Sequence, residues 1–151
     1  MGIGAVSNDT SNYYSPRSPG ISNVGSYQVS GYPYLTGTNG LANGQEEKVS
    51  FPGVTRAIEV RNLTPDTHLK IHFASNDGGS ANTFGGHHYM TLSGSSVTGS
   101  QSVRRLEVKC NELYITNDCG AALTYEVFAE ITGIGVAEMF TLTGSGITGK
   151  V

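Results

Sequence analysis

The chain has 151 residues, with 12 acidic and 9 basic side chains and a formal net charge of -3. Charged residues make up only 14% of it and glycines number 21, which excludes a helical bundle and a charge-driven disordered chain. The charge balance gives no drive towards nucleic acid, and no stretch reaches the ~18 apolar residues of a membrane helix. Without a secretory signal pattern, we expect one domain made in a reducing cytosol, with no membrane and no nucleic-acid partner.

Residues 1–44 are predicted to form an extended N-terminal arm. Gly, Ser, Asn and Pro dominate this stretch, aliphatic residues are few, and five of the eight tyrosines lie in it. A solvated linker avoids aromatic residues, whereas an arm that lies on another surface buries them. The alternative is a disordered tail whose tyrosines have no role. We expect partner binding by the arm residues Tyr13, Tyr14, Tyr27, Tyr32, Tyr34 and Leu35.

Residues 45–143 show the period-two alternation that is typical of half-buried strands. It is clearest in 54–61, 68–73, 105–110 and 123–132, with shorter candidate strands at 46–51, 87–92, 112–116 and 137–143. In 68–73 the pattern places Leu69, Ile71 and Phe73 in the core and His68 and His72 in solvent. Turn residues separate the runs, which predicts an all-β fold, an antiparallel β-sandwich of jelly-roll-like or immunoglobulin-like type. The Gly-rich residues 144–151 are predicted to form a short C-terminal strap.

The histidines do not predict a metal site. His68 and His72 share one strand face but lie about 13 Å apart at ~3.3 Å per residue. His87 and His88 are adjacent, so their side chains point to opposite faces. We expect no metal, no cofactor and no catalytic residues.

The two cysteines, Cys110 and Cys119, do not form a disulfide framework. Cys110 continues the apolar face of Leu106 and Val108, and we interpret it as a small buried hydrophobe. A regulatory or intersubunit disulfide is the alternative. The G-x-G-x-x-G pattern at 144–149 has no helix after it, which excludes a dinucleotide site.

Two sequence segments show a family resemblance: GSYQVSGYPYLTG at 25–37 and MFTLTGSGITG at 139–149. With VSFPGVTR at 49–56 and VFAEI at 127–131, they resemble segments of small virion structural proteins of tailed bacteriophages. The resemblance implies a capsid decoration or cement protein, a β-sandwich that is often trimeric and binds the major capsid protein or other virion proteins. It implies location in the virion and no enzymatic activity. A tail, neck or fibre component is the nearest alternative.

Two hypotheses from other classes stay open. A carbohydrate-binding β-sandwich would use Tyr89, Tyr114, His87 and His88 as a sugar platform, although it lacks Trp, the usual stacking residue. A cupin-like enzyme would hold a bound transition metal.

Overall fold

The computed structural model describes residues 31–76, 82–94, 96, 102–143 and 146–148. The regular structure of this part of the chain is mostly β-strand, with one four-residue helix, α1 (Asn82–Gly85), and one 3₁₀ turn (Val136–Glu138). The strands are β1 (Tyr32–Leu41), β2 (Glu46–Ser50), β3 (Thr55–Asn62), β4 (His68–His72), β5 (Met90–Ser93), β6 (Ser102–Leu106), β7 (Glu112–Asn117), β8 (Leu123–Ile131), β9 (Thr141–Thr143) and β10 (Gly146–Thr148).

The first eight strands form two antiparallel four-stranded sheets with the orders β1-β8-β3-β6 and β2-β7-β4-β5. The pairs β1–β8, β2–β7, β3–β6 and β4–β5 are those of one long hairpin whose turn lies between β4 and β5. Two further pairs, β3–β8 and β4–β7, join the arms of that hairpin into the two sheets. Strands β9 and β10 form a separate antiparallel hairpin. The prediction of an all-β antiparallel fold is confirmed.

One apolar core lies between the two sheets, and it forms because alternate residues of each strand are apolar. In β8 the buried positions are Leu123, Tyr125, Val127, Ala129 and Ile131, as the alternation predicts. Strands of both sheets contribute to the same cluster. Burial of apolar surface at ~25 cal/mol per Å² is the main term that stabilises such a core. We call β1 to β8 with this core the two-sheet body.

The predicted boundary of the arm at residue 44 is wrong, because β1 already belongs to the two-sheet body. Leu41 is 4% exposed and joins the core, and the ring of Tyr34 packs against Phe51. Counting aliphatic residues missed this strand, since a tyrosine and inward-facing threonines complete its buried side. The rest of the predicted arm, residues 1–30, lies outside the described residues.

Three strands are shorter than the sequence predicts, because local hydrogen bonds or a turn replace strand pairing at one end of each predicted range. His87 and His88 donate backbone bonds to Phe84 and Thr83, so β5 begins only at Met90. Strand β6 ends at Leu106, and the backbone N–H of Cys110 instead donates to Thr55 Oγ1. In 137–143 the strand is limited to β9, which follows the 3₁₀ turn. In the predicted strap, Gly146–Thr148 is β10, and the remaining residues lie outside the described ones.

Candidate functional site

The first candidate is the outer edge of β1, residues 32–39, which we call the β1 edge. Strand β1 pairs on one side with β8, in a continuous register from Tyr32 opposite Ile131 to Asn39 opposite Thr124. A register shift follows Asn39, where Gly40 has φ of 89°, so the regular edge ends there. Within the described ranges no strand pairs with the other side of β1. Its outward N–H and C=O groups therefore offer a ladder for another strand.

The inward side of β1 is held by the chain's own side chains. The rings of Tyr34 and Phe51 meet edge to face at 5.6 Å, and the Tyr34 hydroxyl donates to the Ser50 carbonyl at 3.4 Å. Thr38 Oγ1 donates to Glu47 Oε2 at 2.5 Å. These bonds connect β1 to β2, the edge strand of the other sheet. Position and twist of the β1 edge are thus set by the two-sheet body.

The β1 edge also presents apolar side chains to solvent. Leu35 is 74% exposed and Tyr32 is 71% exposed, more than any other large hydrophobic side chain of the described residues. Leu35 lies opposite Phe128, which is half-buried on the outer face of β8. Scattered exposed apolar residues are normal, but here two of them lie on one edge strand.

A shallow groove of about 510 Å³ runs over the outer part of this edge, lined by residues 35–39 of β1 and 124–126 of β8. Gly37 forms part of it because it has no side chain. A Cβ atom there would lie 2.5 Å from the Tyr125 carbonyl oxygen, closer than real contacts allow. The close approach of β1 to β8 therefore requires glycine at this position.

The four edges of the two sheets differ in charge. Strand β6 carries Arg104 and Arg105, and β2 carries Glu46, Glu47 and Lys48. Strand β5 has no charge but only four residues. The ten residues of β1 contain no charged side chain. Charge and shortness protect sheet edges from pairing, and β1 has neither along residues 34–39; Pro33 and the register shift after Asn39 limit pairing only towards its two ends.

A second candidate lies on the outer face of the other sheet, where five rings form what we call the aromatic ridge: His72, Phe84, His87, Tyr89 and Tyr114. The centroid distances between neighbouring rings run from 5.1 to 6.1 Å. Lys70 Nζ lies 4.5 Å from the Phe84 centroid and 4.7 Å from that of Tyr89, and it also pairs with Asp118. The ridge is a packed cluster in which the Lys70 ammonium lies over two of the rings.

His72 is the buried centre of this ridge, and the prediction that it faces solvent is wrong. Its Nδ1 bonds the Ala74 carbonyl at 2.7 Å, and its Nε2 bonds Thr116 Oγ1 at 2.8 Å. The connection after β4 folds back over the ring, with Phe84 packed on its edge. The alternation of side-chain direction continues through Phe73, which packs against the core, and His72 is buried because this connection covers the outer face.

Glu46 anchors the same connection from β2. Its carboxylate accepts bonds from Ser75 Oγ at 2.5 Å and from the Asn76 backbone N–H at 2.9 Å. It also lies 3.7 Å from His72 Nε2. Burial lowers the pKa of His72 below its ordinary value of 6.5, against the opposing effects of the Ala74 bond and the Glu46 charge. The lowered pKa favours the uncharged ring at neutral pH, in which Nδ1–H donates to the Ala74 carbonyl.

The predicted site residues divide into three groups. Tyr13, Tyr14 and Tyr27 lie outside the described residues. Tyr32 and Leu35 are exposed on the β1 edge, whereas Tyr34 is half-buried by its own chain. Of the predicted sugar platform, Tyr89, Tyr114 and His87 do come together in the aromatic ridge, and His88 makes none of the ring contacts. No sequence pattern connects Glu46 with His72, since 26 positions separate them.

The interpretation of Cys110 as a buried hydrophobe is confirmed. It is 1% exposed, and burial raises the pKa of its thiol to about 11. Neither it nor Cys119 forms a disulfide in this structure. Throughout the described ranges, no three His, Cys, Asp or Glu side chains are grouped to hold a metal ion.

Comparisons with protein-family models, with curated proteins and with solved structures gave no match. None of the helices in the described part of the chain is long and apolar enough to span a membrane. The β1 edge and the aromatic ridge are therefore the two features of the described residues from which a function can be inferred.

Proposed function

We propose that the two-sheet body is a β-sandwich of the jelly-roll type. The support is the pairing of β1 with β8, β2 with β7, β3 with β6 and β4 with β5, which is one long hairpin rolled into two sheets. In an immunoglobulin-like domain the first two strands are neighbours in one sheet, whereas β1 and β2 lie in different sheets here. Jelly rolls occur in viral capsid proteins, lectins and cupins. The fold therefore agrees with a virion protein, a sugar-binding protein or a cupin-like enzyme and does not decide among these three.

We further propose that the chain is a structural virion protein of a tailed phage, a decoration or cement protein that stabilises the head. The observation that carries this choice is the β1 edge: a long, uncharged edge strand whose outer side pairs with no strand of the described residues, with Leu35 and Tyr32 exposed on it. Such an edge favours assembly with other protein chains by strand addition. Repetition over a lattice makes a modest affinity per copy sufficient for stable decoration.

The arm residues Tyr13, Tyr14 and Tyr27 belong to the same proposal as the groups that dock on neighbouring capsid subunits. Each buried aromatic ring of 150–250 Å² contributes about 4–6 kcal/mol before ordering costs, by the area rule. The two-sheet body would then join copies of the protein to one another.

The test is to count copies of the chain in purified particles from its source by mass spectrometry, with isotope-labelled full-length protein as the standard. Gold-labelled antibodies against the chain, imaged on intact particles, show whether its copies lie on the head or on the tail. Copies in the hundreds on the head support decoration. A few copies on the tail or neck support the nearest alternative within the same class, and absence from the particles contradicts a virion role.

A carbohydrate-binding module is the second candidate, favoured by the aromatic ridge alone. Tyr89 and Tyr114 lie on one outer face of a sheet, where sugars stack in many binding modules. However, Lys70 already lies over the Tyr89 ring, and Tyr114 is stacked on His72 with Lys48 5.7 Å from its centroid. Those contacts compete with a sugar for the same ring faces. A glycan array probed with the full chain tests this candidate. Specific binding to a glycan supports it, and the absence of any binding contradicts it.

A further inference from the structure

We propose that two copies of this chain pair through their β1 edges, in antiparallel orientation about a two-fold axis at Leu35. This goes beyond the proposed function, and it holds or fails separately from a place in the virion. The pairing would join two sheets into one of eight strands, β6-β3-β8-β1 continued by the same four strands of the second copy in reverse order.

Charge favours a second copy as the occupant of the β1 edge. In an antiparallel pair about a two-fold axis, the residue on the axis lies opposite its own copy, and its two neighbours lie diagonally close to theirs. An axis at Arg104 or Arg105 of β6 would therefore oppose two arginines, and an axis at Lys48 of β2 would oppose two lysines. Like charges directly opposite each other destabilise a strand pair. Of the four edges, β1 alone is both long and free of charge, so it can pair with itself in any register without opposing like charges.

The outer face sets the register. Leu35 lies beside Phe128 on this face, and a two-fold axis at Leu35 brings the two Leu35 side chains together. An apolar row then runs across the joint, from Phe128 through both Leu35 residues to the second Phe128. Leu35, which is 74% exposed in one copy, becomes covered in the pair. A continuous row buries more apolar surface than any register that opposes Leu35 to Asn39 or Gly37.

The groove at Gly37 fits the same register. With Leu35 opposite its own copy, Pro33 of one chain lies opposite Gly37 of the other, and both are on the outer face. Gly37 has no side chain and lines the groove of about 510 Å³, which leaves room for the pyrrolidine ring. Pro33 lies at the end of the ladder, where its missing N–H removes at most one hydrogen bond.

Oligomeric state is the first measurement, made on the full chain by light scattering coupled to size exclusion over a range of concentrations. We expect a dimer. Leu35→Arg places two like charges at the axis and should weaken the dimer at least about tenfold. Val103→Arg is the matched control, because Val103 is also an exposed hydrophobic on an edge strand, β6, and is 48% exposed. That variant should dimerise as the wild type does.

Cross-linking tests the register. Residues directly opposite in an antiparallel pair have Cα atoms about 4.5–5.5 Å apart, within the range that a disulfide spans. Leu35→Cys should therefore form a covalent dimer under mild oxidation. Val103→Cys should stay at the background set by the wild type with its two native thiols. Both changes are at exposed positions, and circular dichroism checks that each variant folds.

Three outcomes overturn the proposal: a monomer at high micromolar concentration, a trimer, or a dimer that Leu35→Arg leaves intact. A trimer would agree with the resemblance to decoration proteins and would contradict the two-fold contact. The count of copies in particles does not depend on any of these results, so the two proposals can fail independently.

Discussion

The β1 edge and the aromatic ridge lie on different sheets and differ in how far the chain satisfies them. In the ridge, both ring nitrogens of buried His72 have partners, and Glu46 binds the backbone and a hydroxyl of the connection that covers it. At the β1 edge, backbone groups and the side chains of Leu35 and Tyr32 have no cover from the described residues on their outer side. The ridge is therefore expected to stabilise the fold, and the edge is expected to serve association.

Truncation of His72 should break the ridge and have the largest effect on stability. His72→Ala removes a fully buried ring, two hydrogen bonds and the packing of Phe84 and Tyr114. We expect the free energy of unfolding, measured by urea denaturation, to fall by about 2–4 kcal/mol.

His68→Ala is the matched control for that change. His68 lies on the same strand and the same face, but it is half-exposed and pairs only with Asp118 at 3.1 Å. Exposed ion pairs contribute at most about 1 kcal/mol, so this variant should lose no more than that. Equal losses in the two variants would show that the ridge is not the stabilising region we describe.

Gly37→Ala should have the next largest effect, because it acts on the inner contact of the β1 edge. The new Cβ would lie 2.5 Å from the Tyr125 carbonyl oxygen, which is backbone and cannot move alone. The two strands must separate, at a cost of about 1–3 kcal/mol in unfolding free energy. Gly135→Ala is the control, since nothing lies within 4 Å of a Cβ there. A loss no larger than that of the control would mean that β1 sits less tightly on β8.

The pH dependence of stability should be smaller than either truncation and should come from the ridge. The folded-state pKa of His72 is lowered below 6.5, so the unfolded chain takes up the proton first as the pH falls. Stability is then full above pH 6.5, decreases below it, and levels off below the folded pKa. Glu46 and Lys70 are the charged groups that act on the ring, in opposite directions.

Urea denaturation at pH 7.5 and pH 5.5 measures this dependence in the wild type and in His72→Gln. The wild type should lose more stability between the two values than the variant, whose side chain does not titrate. The other three histidines are present in both proteins, so their contribution cancels in the difference. An identical pH dependence in the two proteins would contradict the assignment to His72.

The sequence could predict the regular strands because their burial alternates with little interruption. In β8, every residue of the odd-numbered face is buried, as the apolar pattern indicates. The prediction failed where a strand ends or bulges. In 54–61 the alternation places Thr55 on the solvent face with Glu59 and Arg61, but Thr55 is buried, at a point where the pairing with β8 shifts register between Thr55 and Ala57. A bulge places two residues against one, which no period-two pattern can show.

The candidate sites were predictable only in part, and for different reasons. Tyr32 and Leu35 could be named because large apolar residues in a stretch with few aliphatic residues can be recognised in the sequence itself. Their place on a strand of the two-sheet body was missed, since Tyr34 and Leu41 supply the burial that a count of aliphatic residues did not find. Glu46 and His72 come close because β7 lies between β2 and β4 in one sheet. The spacing of the two residues in the sequence does not predict this strand order.

The smallest effect on stability is expected at Leu35, and it separates the two regions most sharply. Leu35→Ser removes a side chain that is 74% exposed, so the unfolding free energy of the single chain should change by no more than about 0.5 kcal/mol. The change is measured by urea denaturation at a concentration where the protein is monomeric. A loss comparable to that of His72→Ala would show that Leu35 is buried within one chain, and the β1 edge would then have no free apolar surface to offer a partner. A negligible loss together with weaker self-association would place the role of Leu35 between chains, because only the associated state would contain the contact that the substitution removes.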